Sequence, residues 1–160
     1  MNSPSVSGPD GQENWQPHVT VATVVARDGR FLIVEERVEG RRVLNQPAGH
    51  LDAGESLQAA AVRETLEETG WHVELEHFLG VSQWTSGTLH FIRFAFAATA
   101  LRHEPERPLD TGIIAARWLS REEIAAADNL RSPMVLANID TWLAQHWFPL
   151  DVVQYLDRPR

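Results

Sequence analysis

The strongest constraint in this chain is a helix-forming stretch whose acids outnumber its bases. From Gly49 to Trp71 the sequence carries Asp52, Glu55, Glu64, Glu67 and Glu68, one arginine (Arg63) and no lysine. It opens as a loop with Gly49 and Gly54. Ser56 suits a helix N-cap, Ala59 to Ala61 propagate the helix, and Gly70 suits its stop. At 3.6 residues per turn Glu64, Glu67 and Glu68 share one face, within an arc of about 100°. Ala59, Val62 and Leu66 fall opposite and are the expected core contacts. Ala60 lies beneath the acids and is small enough to let a ligand approach.

Like charges three and four apart weaken an isolated helix by about 0.2–0.5 kcal/mol per pair. A divalent cation that neutralises the cluster is the economical explanation; a solvated acidic face is the plain alternative. Oxygen donors without cysteine or paired histidines favour Mg²⁺, with Mn²⁺ as substitute, over zinc. Arg63 is placed to pair with Glu67 or with Glu55 in the preceding loop.

Composition narrows the partners. The 160 residues are 43% hydrophobic and suit one compact domain, expected over 16–160. Residues 1–15 are polar, rich in Ser, Pro, Gly and Asn, and are expected to form a flexible tail. Zero cysteines exclude disulfides, thiolate nucleophiles and cysteine zinc sites. Neither a secretory leader nor a bilayer-spanning run is evident, so a cytoplasmic protein is expected. The net charge of −8 disfavours nucleic acid and anionic membranes as partners. An anionic small molecule would have to be attracted locally, by a metal and a few arginines.

Strands and turns alternate around the acidic stretch. His18 to Ala26 is β-branched and strand-like, Asp28-Gly29 turns, and Arg30 to Glu35 is its hairpin partner. Glu39-Gly40 turns again toward Val43-Leu44. Val73 to Trp84 is strand-like, Ser86-Gly87 turns, and Thr88 to Thr99 alternates clearly. There Arg93 sits among apolar neighbours, either snorkelling at an edge or contacting phosphate. Residues 101–112 are expected to form a polar loop and Ile113 to Leu119 a further strand. Ser120 with Glu123 makes a capping box, and a last helix is expected from Pro133 to Trp147. Strands mixed with a few helices suggest an α/β/α sandwich on a mixed β-sheet.

Gly49, Glu55, Arg63-Glu64, Glu67-Glu68 and Gly70 stand at the spacing of the Nudix box, and the chain resembles the Nudix hydrolases. Thr65 departs from the pattern, which usually has an aliphatic residue there; a packing cost without lost chemistry is expected. Further segments resemble the NudJ-type phosphatase branch: His18 to Ala22, Asn45 to Leu51, Gln83-Trp84, Phe91 to Phe94, Arg117 to Leu119, and Asn129 to Pro133. The resemblance implies an α/β Nudix fold and metal-dependent hydrolysis of a small phosphorylated substrate, by a monomer or homodimer. That branch acts on nucleoside tri- and diphosphates and on the diphosphates of thiamine and its hydroxymethylpyrimidine precursor, releasing orthophosphate. Cleavage within a nucleotide sugar or dinucleotide, and a non-catalytic binding module, are the alternatives.

Carried over by position, the resemblance implies Glu64, Glu67 and Glu68 as metal ligands, with a backbone oxygen of Ala48 or Gly49. Arg63 and Glu55 would orient them, with Glu64 the preferred base. An acid from outside the box is commonly found three residues before the later Arg-Trp strand. Ile114 stands there, and Asp110 is the nearest substitute. His50 in the glycine loop is a candidate substrate contact. Trp84 either stacks a ring or is structural, and Arg131 and Asn129 either bind phosphate or lock a turn.

Overall fold

Consecutive left-handed residues create the first two hairpins. The computed structural model describes residues 15–157; positions 1–14, most of the expected tail, lie outside the described residues. Strand β1 (His18–Arg27) turns through Asp28 and Gly29, at φ 51° and 72°, into β2 (Arg30–Val38). Glu39 and Gly40, at φ 49° and 80°, repeat the device before β3 (Arg41–Asn45). Paired positive φ values give the turn a twist that matches the strands it joins.

The chain continues through β4 (Ala48–His50), α1 (Leu57–Thr69), β5 (Trp71–Ser86), β6 (Leu89–His103) and β7 (Ile113–Ser120). It then forms α2 (Arg121–Ala126), α3 (Met134–Leu143) and a 3₁₀ turn at Leu150–Val152. β1 is central. It runs parallel to β6 from His18↔Phe91 to Val25↔Ala98 and antiparallel to β4 at Val21↔Gly49. β5 pairs β6 antiparallel, and β2 pairs both β3 and β7. One parallel pair among antiparallel ones makes the sheet mixed, as the sequence indicated.

The period-2 alternation of β6 separates two cores. Phe96 packs with Val21, Ala60 and Ala61 of the α1 side, whereas Ala95 and Ala97 pack with Ile124, Val135 and Ile139 of α2 and α3. This is the expected layering of helices on both faces. Among the described residues no helix is long and apolar enough to cross a membrane.

Three sequence expectations need correction. The buried face of α1 is Ala60, Ala61, Glu64, Thr65, Glu68 and Thr69; Ala59 is exposed and Val62 and Leu66 only half-buried. The helix is rotated so that its acids enter the protein, because β4 offers them a glycine and a free amide. Strand β6 extends to His103, taking residues 101–103 from the expected loop, because Trp71 pairs and stacks with His103. Helix α3 ends at Leu143 instead of Trp147. Gln145 adopts φ 57°, and the chain leaves to bond Phe148 to Phe78 through two 2.9 Å backbone hydrogen bonds. The capping box at Ser120 and Glu123 forms as expected.

Candidate active site

Arg63 ties loop and helix into one unit. Its Nε and one terminal nitrogen donate to the two carboxylate oxygens of Glu55 at 3.0 and 2.6 Å. The same terminal nitrogen donates to the His50 carbonyl at 3.1 Å, and the other reaches Glu64 at 2.8 Å and Glu67 at 3.1 Å. A bidentate guanidinium–carboxylate pair is directional as well as strong. Glu55 also accepts the Asp52 amide at 2.8 Å. Its hydrogen bonds from Arg63 hold its carboxyl below the usual range, while Glu55 first and Glu64 next hold the proton on Arg63 more tightly. The side chain expected to pair with Glu67 or Glu55 pairs with both.

Gly49 lets the backbone of β4 close on α1. A Cβ built there would collide with the Glu64 carboxyl group. One residue earlier, the Ala48 amide donates to Glu68 Oε2 at 2.9 Å. Burial pushes Glu68 up to about 9 despite that hydrogen bond, and Glu36, Glu64 and Asp110 add repulsion. Burial also raises Glu64, against the opposing pull of Arg63. Carboxylates crowded in a partly dry site without a counter-cation behave in this way.

These groups open onto a cleft of about 320 Å³. Of the residues expected from sequence, Ala48, Gly49, His50, Glu64, Glu68, Arg93 and Arg131 line it, together with Asp110. Glu67 is turned to Arg63, and Glu55 and Arg63 stand behind the lining. Trp84 lies outside the cleft and stacks on Phe91, with ring centroids 5.4 Å apart. His18 stacks on Phe91 too, with ring centroids 5.1 Å apart. His18 Nδ1 and His50 Nε2 approach to 3.1 Å, making an imidazole pair at the rim.

Arg131 takes the turn-locking role and also faces the cleft. Its backbone N–H donates to Leu44 at 2.8 Å and the Asn129 side chain donates to Arg42 at 3.2 Å, locking the α2–α3 connection on β3. Its side chain meanwhile lines the cleft. Sequence reasoning missed Glu36, Thr20, Phe91 and Thr111 as lining, and gave Asn45 no role. Glu36 carried no signal, since β2 is buried on both faces through Glu35 and alternation is silent there. A second cavity of about 320 Å³ lies between the β1–β2 turn and Trp142; of its two arginines, Arg121 is paired with Asp140 at 2.8 and 3.0 Å and Arg27 lies over the Trp71 and Trp118 rings.

Among the described residues, no three His, Asp or Glu side chains converge as an assembled metal cluster. Glu64 and Glu67 are turned toward Arg63, and Glu68 toward Ala48. The donor chemistry nonetheless fits a hard cation, since buried carboxylates and backbone oxygens share one wall. Burial raises both the Glu64 and Glu68 carboxyls, and a cation beside them would favour their charged forms.

Fold and site together define a class, and the chain belongs to the Nudix hydrolase family. The NUDIX domain profile matches residues 15–139. Within that class it is similar to the phosphatase NudJ of Escherichia coli K12 and that of Shigella flexneri. Each is 44% identical over 140 residues, 87% of this chain and 92% of the relative. Among solved structures it is similar to a Nudix hydrolase from Nitrosomonas europaea, with 42% identity and a TM-score of 0.86 over 88% of this chain and 98% of the other.

Proposed function

We propose that this chain is a metal-dependent phosphatase of organic di- and triphosphates, releasing orthophosphate. The observation that carries this reading is a single cleft with the buried acids Glu64 and Glu68 on one wall and the buried Arg93 on another. The relatives named phosphatase NudJ support the same direction. Candidate substrates are nucleoside tri- and diphosphates, thiamine diphosphate and the diphosphate of its hydroxymethylpyrimidine precursor.

Glu64, Glu67 and Glu68, with a backbone oxygen of Ala48 or Gly49 and with Asp110, would hold Mg²⁺ or Mn²⁺. A bound divalent ion supplies charge neutralisation at phosphate oxygens and acidifies a water. Glu64 accepts a proton from the attacking water. Arg63, clamped by Glu55, keeps Glu64 and Glu67 on one side of the cleft. Arg93 and Arg131 neutralise phosphoryl oxygens, and His50 meets the substrate at the rim. The water oxygen bonds to the terminal phosphorus as the anhydride P–O bond breaks. Orthophosphate and a substrate shortened by one phosphate leave, with the proton on Glu64 passing to solvent.

Phosphate release with Mg²⁺ tests this reading on thiamine diphosphate, nucleoside di- and triphosphates and a nucleotide sugar, with an EDTA control. Orthophosphate is expected without added inorganic pyrophosphatase and is expected to vanish in EDTA. Phosphate from a triphosphate only with the helper enzyme would mean pyrophosphate departs, and the phosphatase reading would fall. Glu67→Gln and Glu68→Gln are each expected to reduce turnover sharply while the fold persists. Full activity in both would overturn the ligand assignment.

A further inference from the structure

Arg93 is a buried guanidinium without a carboxylate of its own. It is 5% exposed, and among the described residues no Asp or Glu oxygen lies within 4.0 Å of its nitrogens. Its two polar contacts, Nε to Thr20 Oγ1 and a terminal nitrogen to Asn45 Oδ1, are both 3.5 Å, the outer limit of a hydrogen bond. Burial draws its pKa down to about 10, Arg131 pushes the same way, and Glu36 and Glu68 oppose it from a distance. A buried charge left unpaired is strongly unfavourable and wants an anion.

The surroundings show which anion fits. Thr20, Asn45, Glu68 and Ala48 line the cleft and are buried with Arg93, while the lining residues His50, Asp110 and Thr111 are exposed. Asn45 is held by donating its amide to Glu36 at 3.2 Å, which leaves its carbonyl oxygen toward Arg93. Arg131 stands beside this relay, 4.0 Å from Glu36. A phosphoryl group that reaches Arg93 therefore lies among buried side chains, away from the exposed mouth.

We propose that Arg93, aligned by Asn45 and Glu36 and assisted by Arg131, is the specificity residue that receives a terminal phosphoryl group in this buried part of the cleft. The chain then accepts substrates that end in a free phosphate and rejects those whose outer phosphate is esterified. An ester there carries one charge fewer for the guanidinium and sets an added group against buried side chains. The inference rests on the hydrolase reading above and deepens it, making terminal cleavage a consequence of pocket depth.

Two measurements on the wild type, Arg93→Met and Arg93→Lys test it. The first compares hydrolysis of a nucleoside triphosphate with that of its γ-phosphate methyl ester, in Mg²⁺. The wild type is expected to prefer the free terminus at least tenfold in kcat/KM. Arg93→Met is expected to lose at least tenfold on the free terminus alone, so that the preference collapses, with Arg93→Lys between the two. The second measures thermal stabilisation by inorganic phosphate in EDTA, expected in the wild type and absent in Arg93→Met. In phosphate-free buffer Arg93→Met should melt no lower than the wild type, because it removes an unpaired buried charge. A lower melting temperature, or a variant that keeps both the preference and the phosphate response, would overturn the proposal. A wild type that is stabilised by phosphate through Arg93 yet hydrolyses neither substrate would leave this subsite standing and remove the hydrolase reading.

Discussion

The hydroxyl oxygens of Thr23 on β1 and Thr65 on α1 lie 2.7 Å apart, in full burial between helix and sheet. Thr65 donates its proton to the Ala61 carbonyl at 2.8 Å, so Thr23 is the donor in the pair. The one departure from the box pattern is therefore matched by a partner on the central strand, and the expected packing cost is offset by two hydrogen bonds. Thr65→Val should destabilise the fold by about 1–3 kcal/mol, the cost of leaving a buried hydroxyl unsatisfied. Thr23→Val with Thr65→Val removes both polar groups and should recover most of that loss. A double-mutant cycle in urea measures it; additive losses would show that the pair is not coupled.

Gly49 is required by closeness, since its backbone dihedrals are open to other residues. Gly49→Ala would place a methyl against the Glu64 carboxyl, the far end of a flexible side chain. That end can swing away, so the fold should survive with a melting temperature within a few degrees of the wild type. The acid would then be displaced from the cleft, and kcat is expected to fall by roughly a hundredfold, on the scale of misplacing a catalytic group by an ångström. Circular dichroism melts and phosphate release read the two effects separately. Near-native kcat would show that Glu64 need not sit against β4.

Glu55 and Arg63 form the clamp that the sequence anticipated, and its geometry predicts an asymmetry between substitutions. Arg63→Lys keeps a cation but cannot reach Glu55, Glu64, Glu67 and the His50 carbonyl together. It should lower kcat by about 10–100-fold while adding only a small stability loss. Glu55→Gln, which retains hydrogen-bonding atoms, should lower kcat less. Near-native kcat in Arg63→Lys would show that charge at position 63 matters and its fork does not.

Local chemistry makes much of this molecule legible in its sequence. The turns at Asp28-Gly29 and Glu39-Gly40 follow from residues that tolerate positive φ, and the Ser120 cap from a reciprocal pair three apart. The acids of α1 are legible through spacing. Their inward orientation is not, because hydrophobic periodicity assigns the core face to Val62 and Leu66, whereas the helix is rolled by contacts with Ala48 and Gly49. Glu36 is invisible for a related reason. It reaches the cleft from a strand whose residues are buried on both faces, and only the sheet order brings it beside Asn45 and Arg131. Trp84 is legible as an aromatic, and only the sheet shows that it stacks on Phe91 outside the cleft lining.

Glu68 supplies the sharpest test of whether the acidic wall is built for a cation. Its folded-state pKa is pushed up to about 9, chiefly by burial, far above the usual carboxylate range of the unfolded chain. Below the unfolded value the carboxyl is protonated in both states, and its contribution to stability is fully present. As pH rises from there toward about 9, the unfolded chain has released a proton that the folded chain still holds. Stability must therefore fall across that window, by at most about 1.4 kcal/mol per pH unit. In EDTA the wild type should thus melt lower at about pH 8.5 than at about pH 5.5, both inside that window. Glu68→Gln can still accept the Ala48 amide but cannot ionise, so its melting temperature should lose this slope and exceed that of the wild type at the higher pH. Adding Mg²⁺ at the higher pH should restore the wild type and leave Glu68→Gln nearly unmoved, with turnover lost in the variant. Parallel pH profiles for the two proteins in EDTA, or equal Mg²⁺ responses, would show that position 68 neither carries the buried charge nor holds the ion.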